Sequence, residues 1–562
     1  MNETQEFEIH WLEEYKKEIL ERNYDEIVLS TGKTPSGSIH LGILREITIC
    51  DCLKRLLLKE GKKVRFLLFF DSMDAAKKFP SYIPKSHGVH LGKPFSDIPC
   101  PVEGCGCESY AHHWGNELVE SMKAFGIDIE VHWTHELYET PEMKDKIKIS
   151  LDNTEKIREI IMKNILPTLD EKGQEDYKIQ MESWFPVMAV CSKCGTTQYN
   201  DKKEGKIFAN RIVEYHPDTS EIVYECPNPK CNNTERATLD AARLKLNWRV
   251  DWPAKWAMFH TTCEPAGKDH SVKGGSYDTG LDLCKEVFGY MGPIKLPYEW
   301  LRLGDQDMST SGGIVFNPKE YLKIGALPEA YRHLIVKTKP TTHISYRVEN
   351  LPQMFDDYER FEKIYYGHED VEKDELDVVK YLFPLTQVDA VPKKMPARIP
   401  YRFAVIMAQI QEILVDAVIK EKCNEVAKKT SPRDDVEDLS LEEIKNALSG
   451  ALYWVNTYAP KQYRFNVSKN FDKEIKKRLN DEQILALKML LELFKSKEFK
   501  DDQELQNAIF TIAKEKLKIS PKKVFQAIYL VFLGTKHGPR LGPFLIALDK
   551  KFVVKRLEEA TK

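Results

Sequence analysis

Three groups of residues have the types and spacing to do chemistry. The first is Thr31-Gly-Lys-Thr-Pro-Ser-Gly-Ser-Ile-His-Leu-Gly42, which follows the apolar run Ile27, Val28, Leu29. Gly32, Pro35, Ser36 and Gly37 break that run. A helical pattern begins near Ile39 and continues through Ile43, Leu44, Ile47, Cys50, Leu53 and Leu57. A helix N-terminus after such a turn offers free N–H groups and partial positive charge, which suits an anion. His40 can donate to a phosphate oxygen, and Gly42 lets a flat or bulky group approach the backbone. On His40-Leu-Gly42 alone, an ordinary strand–helix turn with a surface histidine is the better explanation.

The second group is Cys191-Ser-Lys-Cys194 and Cys226-Pro-Asn-Pro-Lys-Cys231. Two cysteine pairs on two β-turns can place four thiolates around one tetrahedral ion, as in a zinc ribbon. Four thiolates close the coordination sphere, so such a metal is structural. Cys100, Cys105 and Cys107 form a looser set. His112 or His113 could complete it, but loop cysteines without a metal are the better reading. The third group runs from Glu264 to Gly280. Asp269, His270, Ser276, Tyr277 and Asp278 there have the types for a polar pocket floor, because buried polar groups need partners. The tryptophans of Trp248-Arg-Val-Asp-Trp-Pro-Ala-Lys-Trp256 read mostly as core.

The elements that must position these groups alternate. Lys63–Phe70 reads as a second buried strand, 127–134 as a third and Leu296–Leu303 as a further one. Helical patterns cover 6–22, 112–125 and 140–165, so the fold class is α/β with a doubly wound parallel sheet. Ligands of such sheets bind beyond the carboxyl ends of the strands, where Thr31 to His40 would lie. Residues 318–390 are mainly helical. From 398 nearly everything is helix, with apolar periodicity at 402–419, 441–456, 482–495 and 504–517.

At 562 residues the chain holds several domains, and 42% hydrophobic with 30% charged residues is a globular composition. Net charge is -4, so there is no global basic field. Residues 461–562, however, carry 23 Lys+Arg against 13 Asp+Glu. A polyanion partner or a solvated helical surface explains that bias equally. Residues 1–10 contain no apolar signal core, and no stretch is apolar enough to span a bilayer, so no membrane role is expected. Twelve cysteines without a secretory signal point to metal binding and buried thiols in a cytoplasmic protein.

The whole string Thr31–Gly42 resembles the HIGH signature of class I aminoacyl-tRNA synthetases, in the form used by class I lysyl-tRNA synthetases. The likeness extends over essentially the whole chain. It includes the paired cysteines, Trp248-Arg-Val-Asp-Trp-Pro253, Gly267-Lys-Asp-His270, Gly274-Gly-Ser-Tyr-Asp-Thr-Gly280 and the turn Gly538-Pro-Arg-Leu-Gly-Pro543. It implies a Rossmann-like catalytic domain over 1–317 with a zinc-ribbon insertion at 185–236. A helical stem-contact region over 318–397 and an all-α anticodon-binding cage over 398–562 would follow. The implied activity is activation of lysine by ATP with magnesium, then transfer to tRNA(Lys) held by the C-terminal helices. His40, Gly42, Ile43, Met308, Ser309, Thr310 and Ser311 would serve ATP. Gly32, Thr34, Trp248, His270 and Tyr298 would surround lysine, and Asp278 is added as a partner for its α-amino group.

Two departures stand out. Ile43 occupies the fourth HIGH position. The second signature, expected as Lys-Met-Ser-x-Ser-Lys-Gly, reads Asp307-Met-Ser-Thr-Ser-Gly-Gly313 and lacks both lysines. Those lysines stabilise charge on the triphosphate. Asp307 would repel it, while Lys33, Lys268 or Lys273 could compensate. Two further readings follow: a paralogue with lost or reduced adenylation that binds tRNA or amino acid, and an adenylate-forming enzyme that charges a non-tRNA acceptor. An intact anticodon cage argues against the last.

Overall fold

The computed structural model describes residues 10–201, 205–308, 316–431, 436–499 and 501–562. Ser309, Thr310 and Ser311 of the expected ATP set lie outside them. Two compact units emerge. One comprises Met1–Pro318, Tyr331–Tyr346 and Leu385–Asp389; the other comprises Lys319–Ala330, Arg347–Pro384 and Ala390–Lys562. The stretch 318–397 is therefore divided between the two.

The first unit is built on five parallel strands. These are β1 (Glu26–Lys33), β2 (Lys63–Phe70), β3 (Glu130–Trp133), β4 (Cys263–Gly267) and β5 (Ile294–Tyr298), in the order β5-β4-β1-β2-β3. β1 and β2 pair residue for residue from Glu26↔Lys63 to Lys33↔Phe70. Residues 27–31 of β1 are buried without interruption, as expected of a strand covered on both faces. The helix α1 (Trp11–Glu21) precedes β1, α2 (Ile43–Lys59) follows it, and α3 (Tyr110–Ala124) precedes β3. The helices α4 (Trp248–Phe259) and α5 (Ser276–Glu286) flank β4. β1 has its sequence neighbour β2 on one side and β4 on the other, which makes its carboxyl end a topological switch point.

The helix expected from Ile39 begins at Ile43 instead. Residues 39–42 form a turn because their backbone groups bond elsewhere: Leu41 N–H donates to the Phe316 carbonyl at 2.7 Å, and Ile43 N–H to His40 at 3.2 Å. The single strand expected over 296–303 is two. β5 ends at Tyr298, and Leu301–Leu303 pairs with Ile344–Tyr346 and Gln306–Asp307 in a separate small sheet. The break is fixed by Arg45, whose guanidinium takes the Glu299 carbonyl at 2.6 Å and that of Trp300 at 3.3 Å. The pattern over 140–165 is likewise two helices, Pro141–Asp152 and Thr154–Ile165, joined at Asn153.

The insertion carries five antiparallel strands in the order 244–246, 187–189, 211–216, 221–225, 234–238, plus the hairpin 198–201/206–209. Ile212, Ile222 and Tyr224 share its core with Cys191, Cys226 and Cys231.

The second unit is mainly helical. Its longer helices include Leu351–Tyr365, Asp416–Thr430, Leu441–Thr457, Asp481–Ser496, Pro521–Leu533 and Lys550–Thr561. The expected helix over 402–419 is interrupted: Tyr401–Ile410 ends in a short 3₁₀ turn before Asp416. Capping boxes start two of the helices, at Ser440/Glu443 and Asn480/Gln483. Gly450 is required by packing, since a Cβ there would lie 2.7 Å from the Gly325 Cα. Among the described residues no helix is long and apolar enough to cross a membrane.

Candidate active site

A cavity of about 850 Å³ opens at the carboxyl ends of β1, β2, β4 and β5. Gly32, Thr34, Ile43, Trp248, His270 and Tyr298 all line it. These positions are scattered over 267 residues of sequence, and the sheet brings them to one crevice because each follows a strand end or begins a helix beside one. His40, Gly42 and Met308 lie outside the lining, with His40 and Met308 both against Gly42. A Cβ on Gly42 would sit 2.9 Å from His40 Nδ1 and 3.1 Å from the Met308 methyl. His40 Nδ1 is buried and has no hydrogen-bond partner among the described residues. Burial, helped by the charge of Lys33, pulls the imidazole down to about 3, so the ring is neutral at pH 7.

The walls hold two carboxylates with unlike partners. Glu46 of α2 accepts from the Thr31 hydroxyl at 2.6 Å and from the Tyr298 hydroxyl. Burial pushes its carboxyl up to about 7 against those two donors. Glu264 of β4 accepts from Trp252 Nε1 at 2.5 Å, from Trp256 Nε1 at 2.8 Å and from the Ser30 hydroxyl. Because Trp252 and Trp256 are one helical turn apart on α4, both indoles reach the same carboxylate. Trp252 and Trp248 then present edges to His270, with ring centroids 5.7 and 5.9 Å away.

A buried ionic group forms the floor. Lys255 lies 2.8 Å from Asp71 and 2.9 Å from Asp251, and Asp251 also accepts from Tyr138 at 2.5 Å. Lys245 pairs with Asp74 at 3.0 Å, and Thr34 donates to the same carboxylate at 2.8 Å. Burial opposes the charge on Lys255, but the two aspartates outweigh it and raise its pKa. Asp251 is held below the usual carboxylate range by Lys255 and Lys245 in spite of burial.

Asp278 is not brought into this cavity. Its oxygens accept from Lys295 at 2.7 Å and from the Gly274 N–H at 2.9 Å, which anchors the start of α5. The expected pocket floor from 269 to 278 thus reduces to His270, whose Nδ1 lies 2.7 Å from the Ser276 hydroxyl. Tyr277 is core, with its hydroxyl on the carbonyls of Glu264 and Ile294. Asp307 is also placed differently from expectation. Arg302 sits 2.5 Å from its carboxylate and holds it ionised, below the usual range, so a cation stands beside the anion at this position.

Cys191, Cys194, Cys226 and Cys231 converge, with all four sulfurs within 4.8 Å of one another. The Cys191–Cys231 and Cys194–Cys226 sulfur separations are both 3.7 Å. Tetrahedral zinc with bonds of about 2.3 Å requires about 3.8 Å between sulfurs, so the donor set fits. Cys100 and Cys105 meet His113, not His112: the sulfurs are 2.9 Å apart, and His113 Nδ1 is 3.6 and 3.5 Å from them.

Sequence reasoning passed over Glu46, Asp71, Asp251, Lys255 and Glu264. Signals for three existed. Glu46 interrupts the apolar stripe of α2 between Ile43 and Cys50, and Asp251 and Lys255 stand four residues apart on a tryptophan-rich helix. Asp71 and Glu264 had no local signal.

The family model for tRNA synthetases class I (K) matches residues 9–383, and an anticodon binding domain model matches 440–561. The chain is 36% identical to the lysine–tRNA ligase of Methanocaldococcus jannaschii over 98% of its own length and 99% of that protein's. Lysine–tRNA ligases of Methanosphaera stadtmanae and Methanococcus maripaludis are 31% and 33% identical, again over 98% of this chain and 99% of theirs. With likeness of this extent on a parallel sheet whose crevice is built from the matching segments, the chain belongs to the class I (K) tRNA synthetases.

Proposed function

We propose that this chain activates lysine with ATP as lysyl-adenylate and transfers the lysyl group to tRNA(Lys). The observation that carries this reading is the Glu46–Tyr298 pair in the cavity wall. A buried carboxylate already touched by two hydroxyls suits a primary ammonium, which supplies a compensating charge and three donors. Trp248 and Trp252, with His270 between them, offer faces and edges to the aliphatic stem of such a side chain. Gly32 and Thr34 place backbone and hydroxyl at the end of β1, where the α-carboxylate would reach toward ATP.

The reaction needs no protein nucleophile. The lysine carboxylate attacks the α-phosphorus, pyrophosphate leaves, and a terminal ribose hydroxyl of the tRNA later displaces AMP. Catalysis is then positioning and charge stabilisation. His40, neutral at pH 7, serves as an uncharged N–H donor to phosphate. Magnesium, when bound, neutralises phosphate charge. The cavity aspartates 71 and 74 are committed to Lys255 and Lys245, which fits a metal that travels with ATP. Cys191, Cys194, Cys226 and Cys231 would hold zinc as a clamp on the ribbon. A reducing, cytoplasmic setting suits twelve free cysteines. The C-terminal helices would read unstacked anticodon bases, with affinity that falls as salt rises.

Lysine-dependent ATP–pyrophosphate exchange, followed by charging of a tRNA(Lys) transcript, tests this reading; absence of both removes it. The second signature without lysines favours the dampened paralogue as the alternative, which predicts tRNA binding with no exchange. The anticodon-binding likeness supports a tRNA acceptor over any other.

A further inference from the structure

Adenylate formation brings a carboxylate against a triphosphate, and the site must supply positive charge where they meet. Both lysines of the usual second signature are missing from 307–313. Three lysines are placed by sequence to stand in. Lys268 is taken up by Glu299 at 2.9 Å and lies over the Trp300 ring. Lys273 is exposed and outside the cavity lining. Of the two buried lysines of the floor, each is neutralised by aspartate.

Lys33 differs from all of these. It is the last residue of β1, lines the cavity at the switch point, and its ammonium has no ion-pair or hydrogen-bond partner among the described residues. Its backbone is fixed, since Asp71 N–H donates to its carbonyl at 3.1 Å. Burial pulls its pKa down while the Glu46 carboxylate on one side raises it, and its own charge is felt by His40 on the other. It therefore stands between the turn assigned to phosphate and the carboxylate assigned to the lysine ammonium. A cation left unpaired in a half-buried crevice costs free energy unless an anion joins it.

We propose that Lys33 supplies the positive charge to the reacting phosphate during adenylate formation, in place of the absent signature lysines. This rests on the lysine-activating reading given above. The lysine carboxylate oxygen forms a bond to the α-phosphorus while the bond from that phosphorus to the bridging oxygen breaks. The electron pair leaves with pyrophosphate. Lys33 remains an ammonium throughout, donates hydrogen bonds to the oxygens that gain charge, and transfers no proton. Carried on a fixed strand end in a half-buried crevice, it acts where water screens less than in bulk.

The test is lysine-dependent ATP–pyrophosphate exchange by the full-length protein and by Lys33→Met, Lys33→Ala, Lys33→Arg and Lys273→Met. Lysine affinity is read from tryptophan fluorescence, and folding from thermal melts. Lys33→Met should lose about 10²–10³-fold in kcat, as removal of one transition-state donor does. Its lysine Kd and melting temperature should stay near wild type. Lys33→Arg should keep part of the rate, ethylammonium should restore part of that of Lys33→Ala, and Lys273→Met should match wild type. The proposal is overturned if wild type exchanges and Lys33→Met does so within about threefold of it. It is also overturned if lysine Kd weakens while kcat holds, which would make Lys33 an amino-acid contact. No exchange by wild type removes the underlying reading and the proposal with it. Should Lys33→Met melt early, the Lys33→Ala rescue by ethylammonium decides.

Discussion

Met308 lies against Gly42: a Cβ added to Gly42 would come within 3.1 Å of the Met308 methyl, and within 2.9 Å of His40 Nδ1. The first signature and the start of the second thus meet at a point with no room for a methyl group. Gly42→Ala should displace both neighbours by a few tenths of an ångström. Exchange kinetics should show a raised KM for ATP and a kcat/KM lower by about 10–10²-fold, because misplacement of positioning groups is paid in rate. An unchanged ATP KM would dissociate this turn from nucleotide binding.

Glu46 gives a pH signature. Its carboxyl titrates near 7 when folded, against 4.5 as its ordinary value, because burial disfavours the anion. Its stabilising contribution is complete below the unfolded value and lost as pH rises through 7. That loss amounts to about 3 kcal/mol. Lysine needs the ionised form, so its affinity should rise between pH 6 and 8 in the wild type. In Glu46→Gln the affinity should be weak and flat over that interval. Fluorescence titration at a series of pH values checks both arms.

Arg45 is fully buried and donates to five backbone carbonyls, those of Glu299, Trp300, Lys339, Pro340 and Thr342. It holds the junction that turns the chain after Tyr298. Arg45→Ala strands the Glu299 and Thr342 carbonyls, while those of Trp300, Lys339 and Pro340 keep backbone donors, and should lower unfolding free energy by about 3–5 kcal/mol. Arg45→Lys should recover little of it, since three donors on a point charge cannot replace a planar fork of five. Denaturant midpoints of the two variants would expose the opposite result, a lysine that suffices.

The zinc tetrad predicts one tightly held ion that survives dialysis. Cys226→Ser should remove one zinc per chain by elemental analysis and open 185–236 to proteolysis, because metal affinity here is folding free energy. Retention of the full zinc content after this substitution would place the metal elsewhere.

Features that depend on near neighbours along the chain are legible in the sequence. Strand, turn and helix at 27–57 follow from apolar periodicity, and the cysteine tetrad follows from two short spacers, each fixed by a few backbone torsions. Gly32, Thr34, Ile43, Trp248, His270 and Tyr298 were identified by their local strings, and all line one cavity. Which charge meets which depends on the folded chain. Asp278 is paired with Lys295, Asp307 with Arg302, and His113 instead of His112 joins Cys100 and Cys105. Glu46 and Glu264 became site residues only when Tyr298 and the two tryptophan N–H groups converged on them. A side chain's type travels with the sequence, but its field depends on distance and burial. Those are set by strands up to 268 residues apart that pair in the order β5-β4-β1-β2-β3.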